Sequence, residues 1–152
     1  MPEGINSAED VGIRQLGQAL TTESLTQLGD DGHAAPRLAR SWKWDQPWTR
    51  LRVSLAPGVV AHDGQSVTAP RVVEALKSAL SKASTRAMYP SLDDVTRIEV
   101  DGRDVVVSLS RPAAFLPEDL EIPLEFGPQR VGTGPYEVVG TSGTETTLRR
   151  FD

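Results

Sequence analysis

The chain contains no cysteine, which rules out a disulfide framework, a thiolate metal ligand and a cysteine nucleophile. That absence suits the cytoplasm and an oxidising compartment equally. Histidine is scarce as well: His33 and His62 are the only two, and in separate turns they supply no metal-ligand set of their own. No metal or cofactor is therefore expected. No stretch approaches the ~20 apolar residues of a membrane-spanning helix. Basic runs are missing too, and 16 Lys+Arg against 21 Asp+Glu leave a net charge of −5, a balance that argues against nucleic acid as a partner. Met1 to Asp10 is polar and lacks the basic and apolar regions of a signal peptide. An exported parent is thus expected to carry its targeting segment outside these residues. At 152 residues the chain is long enough for one domain with a real core.

The most organised stretch runs from Leu51 to Lys77. Leu51, Val53 and Leu55 alternate with Arg52 and Ser54, the period of a strand with one buried face. Pro57-Gly58 stops that strand, Val59-Val60 adds a short apolar piece, and Asp63-Gly64 supplies a tight reversal. Thr68 is placed to cap a helix whose first turn tolerates Pro70, with Val72, Val73, Leu76 and Leu80 on one face.

Upstream, residues 1–10 read as a frayed end, and most of Val11 to Leu28 fits a helical period, interrupted by Gly17 and Thr21-Thr22. Gly29-Asp30-Asp31-Gly32 is a turn by composition. Pro36 to Ser41 reads as a short helical turn, followed by a strand with Trp42 and Trp44 on one face. With Trp48, three indoles lie within seven residues. Ligand stacking is one reading of them, and packing in a hairpin the better one.

Downstream, Ser81 to Ser91 is a polar loop around Tyr89. Ile98 and Val100, then Asp101-Gly102, then Val105, Val107 and Leu109 predict a hairpin with a type I′ turn. Gly132 and Gly134 allow backbone conformations closed to other residues, and Pro135 directs the exit into a strand from Tyr136 to Val139. This is no dinucleotide fingerprint, because the third glycine and the following helix are missing. Thr144 to Phe151 alternates as a last strand. The mixture suits an α+β fold with a largely antiparallel sheet better than a doubly wound parallel one.

Three blocks carry a resemblance. Leu55, Pro57-Gly58-Val59, His62-Asp63-Gly64, Thr68-Ala69 and Val72-Val73 form the first; Val131-Gly132-Thr133-Gly134-Pro135-Tyr136 the second; Ala34-Ala35-Pro36-Arg37-Leu38-Ala39-Arg40-Ser41-Trp42 the third. In order and spacing they resemble the extracellular solute-binding proteins of family 5, the peptide, nickel and opine receptors of ABC importers. The resemblance implies a fold like lobe I of a type II periplasmic binding protein, with 11–152 as a single lobe and the second lobe absent. It also implies a structural role for Pro57, Gly58, His62, Asp63, Gly64, Gly132 and Pro135, a helix start over Ala113 to Leu120 with Phe115 and Leu116 as its apolar contacts, and a strand replaced by Ile122-Pro123-Leu124. Expected partners are a small peptide or metal-chelate solute, an importer's membrane permease acting on a periplasmic or extracellular parent, and a second copy through an exposed lobe face.

Candidate solute contacts are Arg86, Tyr89, Thr133, Gly134 and Tyr136. His62-Asp63 is not read as a catalytic pair, since neighbours on a turn point apart, and no other constellation suggests an enzyme. The competing reading is an excised or designed scaffold, or an interaction domain of a regulator that borrows the receptor fold without a transport role.

Overall fold

A computed structural model describes residues 7–143 and 145–152. Helix α1 (Ser7–Thr21) is followed by the short hairpin β1 (Thr26–Leu28) and β2 (Ala34–Pro36), then by β3 (Ala39–Gln46) and β4 (Arg50–Leu55). Helices α2 (Ala69–Leu80) and α3 (Ala83–Met88) come next, then a 3-10 turn at Pro90–Asp94, β5 (Val95–Asp101), β6 (Asp104–Leu109), the one-turn helix α4 (Leu116–Asp119), and the hairpin β7 (Tyr136–Ser142) and β8 (Glu145–Arg150). All pairings between these strands are antiparallel, and the central sheet has the order β3-β4-β6-β5. The α+β expectation holds.

Alternation along these strands becomes two rows of side chains across the inner face. One row is Trp44, Leu51, Val107 and Ile98; the other is Trp42, Val53, Val105 and Val100. Helix α2 lays Val72, Val73 and Leu76 onto this face, and the fully buried Leu51, Val53, Val72 and Val105 mark the centre of the core. Full burial of each such side chain is worth about 1.5–3 kcal/mol. Trp42 and Trp44 pack against that core, and Trp48 meets Trp44 edge to face at 5.5 Å. The indoles therefore build the hairpin. On the outer face, Arg52 binds Asp101 at 2.7 Å, Asp45 at 2.9 Å and Asp104 at 3.4 Å, beneath which Val106 is fully buried.

Several expectations are corrected. Helix α1 starts at Ser7, inside the stretch read as frayed, while residues 1–6 lie outside the described residues. It passes through Gly17 and ends at Thr21 rather than running on toward Leu28. Thr21 and Thr22 donate their hydroxyls back to the carbonyls of Gly17 and Gln18, the competition with helical bonding that makes such residues poor continuers. Leu25 is then free to enter the core from an extended segment.

Pro36 to Ser41 is not helical: it is the end of β2 and the start of β3, joined by a bend at Arg37-Leu38. The Arg37 and Ala39 amides donate to the Leu25 carbonyl, and Leu38 donates to Ser24. The polar 81–91 loop is largely helical, as α3 and the start of the 3-10 turn. Phe115 is 72% exposed, so Leu116 alone makes the expected core contact. In the β5–β6 reversal Asp101 pairs with Asp104, which leaves Gly102-Arg103 as the loop. Gly102 is at φ +65° and Arg103 is not left-handed, so the turn is of type II′ rather than I′. The last strand begins at Glu145; Thr144, expected within it, is outside the described residues.

Candidate functional site

Two of the sequence blocks meet in space. The His62 amide donates to the Gly132 carbonyl at 3.0 Å, and its ring Nε2 lies 2.8 Å from the Gly134 carbonyl oxygen. Since a carbonyl only accepts, Nε2 carries the hydrogen. The same ring packs on Phe151 with centroids 4.7 Å apart. Asp63 accepts from the Gln65 amide at 3.0 Å and binds Arg71 of α2 at 2.6 Å. Arg71 in turn sits 5.3 Å from the Phe126 ring centre, a cation–π arrangement. With Gly64 at φ +76°, this turn anchors α2 to the segment before β7.

Gly132 and Gly134 work differently from the expectation. Neither is left-handed; both lie against the end of α1. A methyl group at Gly132 would overlap the Thr21 carbonyl oxygen, and one at Gly134 would stand 2.5 Å from the Leu20 oxygen. The Gly134 amide donates to the Thr21 carbonyl at 3.0 Å, closing one of the carbonyls a helix end leaves open.

The last turn of α1 held in this way borders a groove. Three neighbouring hollows, of about 280, 370 and 320 Å³, share their walls. Gln18 lines all three; Thr22, Met88, Pro123 and Glu125 each line two. The surface between α1, α3 and the 122–125 segment thus carries amide, hydroxyl and carboxylate groups beside a thioether and a proline ring. This mixture can grip a polar solute along apolar walls. Glu125 is held by Arg130 at 2.6 Å.

Tyr89 lines this groove. Its hydroxyl donates to the Glu121 carbonyl at 3.0 Å, and burial, with Glu121 and Asp119 nearby, raises its pKa and keeps it neutral as a donor. Arg86 turns away, donating to the Leu80 carbonyl at 2.7 Å and facing Asp93 at 3.5 Å. Gly134 lies behind α1, and Tyr136 stands 37% exposed at the start of β7. Thr133 is buried, and its hydroxyl has no hydrogen-bond partner. His33 is exposed, 3.9 Å from Glu118. Gln18, Thr22, Met88 and Glu125 were not singled out from sequence, because no motif marks them. Among the described residues no group of three or more His, Asp or Glu is placed to hold a metal, and no helix is long and apolar enough to cross a membrane.

The mixed α+β fold is that of periplasmic-binding-protein-like solved chains. The chain belongs to the bacterial extracellular solute-binding proteins, family 5: residues 33–152 match the model of that family's middle region. NikA from Brucella suis, solved with Fe(III)-EDTA, superposes with a TM-score of 0.77 at 21% identity over 88% of this chain and 30% of its own. The oligopeptide-binding protein AppA from Bacillus subtilis, solved with a nonapeptide, gives 0.73 at 18% identity over 99% of this chain and 33% of its own. The HTH-type transcriptional regulator SgrR of Escherichia coli K12 is 26% identical over 140 residues, covering 85% of this chain and 24% of the regulator. The chain therefore spans about a quarter of that relative's length and about a third of the solved structures.

Proposed function

We propose that this chain is the first, solute-contacting lobe of a family 5 receptor of the oligopeptide, dipeptide or nickel-chelate class, acting outside the membrane with an ABC permease. The observation that carries this reading is the merging of three hollows along Gln18, between the end of α1 and the Met88-Tyr89 corner. Tyr89 is the sequence-derived residue that lines the groove; Thr133, whose buried hydroxyl has no partner, lines none of the three hollows, and Arg86, Gly134 and Tyr136 hold or border the scaffold. A receptor of this kind gains affinity by closing two lobes over its ligand, so one lobe alone binds weakly. As a binding module it performs no chemistry.

Isothermal titration against short peptides and Ni²⁺ chelates tests the reading. Saturable heat that is lost in Gln18→Ala supports it; silence with every ligand overturns it. The likeness to SgrR favours a second reading, a sensing or interaction module within a regulator, without a transport role. Self-association is the remaining proposal. Val138 and Val139 on β7 are about half exposed, and light scattering at rising concentration decides whether two copies pair through this strand.

A further inference from the structure

The chain has thirteen arginines, and ten of them are ion-paired. Arg14 is also engaged. Only Arg40 and Arg103 have no partner among the described residues, although acidic groups outnumber basic ones by 21 to 16. Both line the same hollow, of about 510 Å³, at the end of the sheet away from Met88 and Tyr89. We infer that this hollow is a binding site for a compact multivalent oxyanion, of which phosphate is the simplest case.

The fold brings the two guanidiniums together. Arg40 lies on β3 at the irregularity between the Ala39 and Ser41 pairings. Arg103 is the second residue of the β5–β6 turn, next to Asp104, which pairs with Ser54 of β4. Their strands are thus separated by β4 alone, about 10 Å apart at two strand spacings. Two arginine side chains can both reach an anion across that gap, and a guanidinium fork suits phosphate oxygens better than any other cationic side chain.

The hollow's other lining groups fit the same ligand. Thr68 lies at its wall with a side chain that forms no cap bond to α2, and the first turn of that helix holds no acidic residue. The one carboxylate present, Asp104, is already engaged, accepting from the Ser54 hydroxyl at 2.8 Å and facing Arg52 at 3.4 Å. The unpaired arginines carry the proposal, and the helix start only adds partial charge of the same sign. This site shares no lining residue with the groove and stands or falls independently of it.

The test is isothermal titration of the whole chain with inorganic phosphate in a low-salt buffer free of other oxyanions, with phenyl phosphate and acetate as separate arms. Phosphate is expected to bind saturably and at least tenfold more tightly than acetate. Arg40→Gln and Arg103→Gln should each weaken it about fivefold or more, and the double variant should abolish it. Arg97→Gln, which removes an arginine paired with Glu99, should leave phosphate binding unchanged. Phenyl phosphate binding more tightly than phosphate supports the site with an organic phosphate as its source; weaker binding supports it with the free anion. Unsaturable phosphate heat, equal affinity for acetate, or undiminished binding in a folded double variant overturns the proposal.

Discussion

The imidazole of His62 reaches across 72 residues of sequence to the main-chain oxygen of Gly134, at 2.8 Å. One side chain thereby joins the turn that starts α2 to the segment that clamps the end of α1. Its ring also rests on Phe151, whose amide donates to the Pro135 carbonyl at 2.9 Å. Removing the ring loses one partly buried hydrogen bond, worth about 0.5–1.5 kcal/mol, and a ring contact of about 0.5–1.5 kcal/mol. His62→Ala is expected to destabilise the chain by roughly 1–3 kcal/mol on these two terms. In a double-mutant cycle with Phe151→Ala the losses should be less than additive, because the two rings share one contact. Urea unfolding measures both; strict additivity would disprove the coupling.

The glycine clamp predicts a sharp contrast within a few residues. Gly132→Ala and Gly134→Ala each drive a methyl group into the main chain of Leu20–Thr21, and backbone yields less readily than a side chain. Each should cost at least the ~1–3 kcal/mol typical of overpacking. At about 2–4 °C per kcal/mol for a chain of this size, melting should fall by roughly 2–12 °C. Gly140→Ala, with nothing within 4 Å, should leave the melting temperature nearly unchanged. Equal effects at 132 and 140 would show that the clamp is not tight.

What could be read from sequence divides along the range of the forces involved. The strand at Leu51–Leu55, the reversal at Asp63-Gly64 and the helix from Ala69 are set by neighbours a few residues away, and the structure places all three as the pattern implies. Helix α3 escaped because Ala83–Met88 buries none of its residues and so has no apolar period to detect. Phe115 misled for the opposite reason: an aromatic beside Leu116 looks like core, yet α4 is one turn long and has room for only one of them. The groove was invisible because Gln18, Met88 and Glu125 come from three distant segments. Only packing brings them together, and none is unusual in its local context.

Two ion pairs contribute to stability on the acid side. The Arg111 guanidinium, 2.8 Å from Asp94, holds that carboxyl below its ordinary value, and Arg52 does the same for Asp45. A carboxylate whose pKa is lower in the folded chain stabilises it above the unfolded value of about 3.9. That stabilisation is lost as pH falls through the folded value. Arg111→Gln should therefore lower the melting temperature slightly at pH 7, since the pair is exposed. The difference from the parent chain should shrink as pH falls below about 4, once Asp94 is protonated in both. Melting curves at several pH values check this; a difference that grows toward acid would reverse the sign of the linkage.

Thr133 offers the cleanest separation of a binding role from a structural one. Its hydroxyl is buried without a hydrogen-bond partner, a state that costs about 1–3 kcal/mol when no ligand satisfies it. Thr133→Val removes the oxygen and keeps the branched shape, so the melting temperature of the ligand-free chain is expected to rise by several degrees, at about 2–4 °C per kcal/mol. A merely structural hydroxyl leaves the affinity for peptide or chelate unchanged in that variant. A solute contact makes the variant more stable yet weaker in binding, the pairing expected if Thr133 is kept unsatisfied for a ligand. A loss of stability in Thr133→Val would mean that the hydroxyl is already bonded, for example through an ordered water, and would remove Thr133 from the candidate solute contacts.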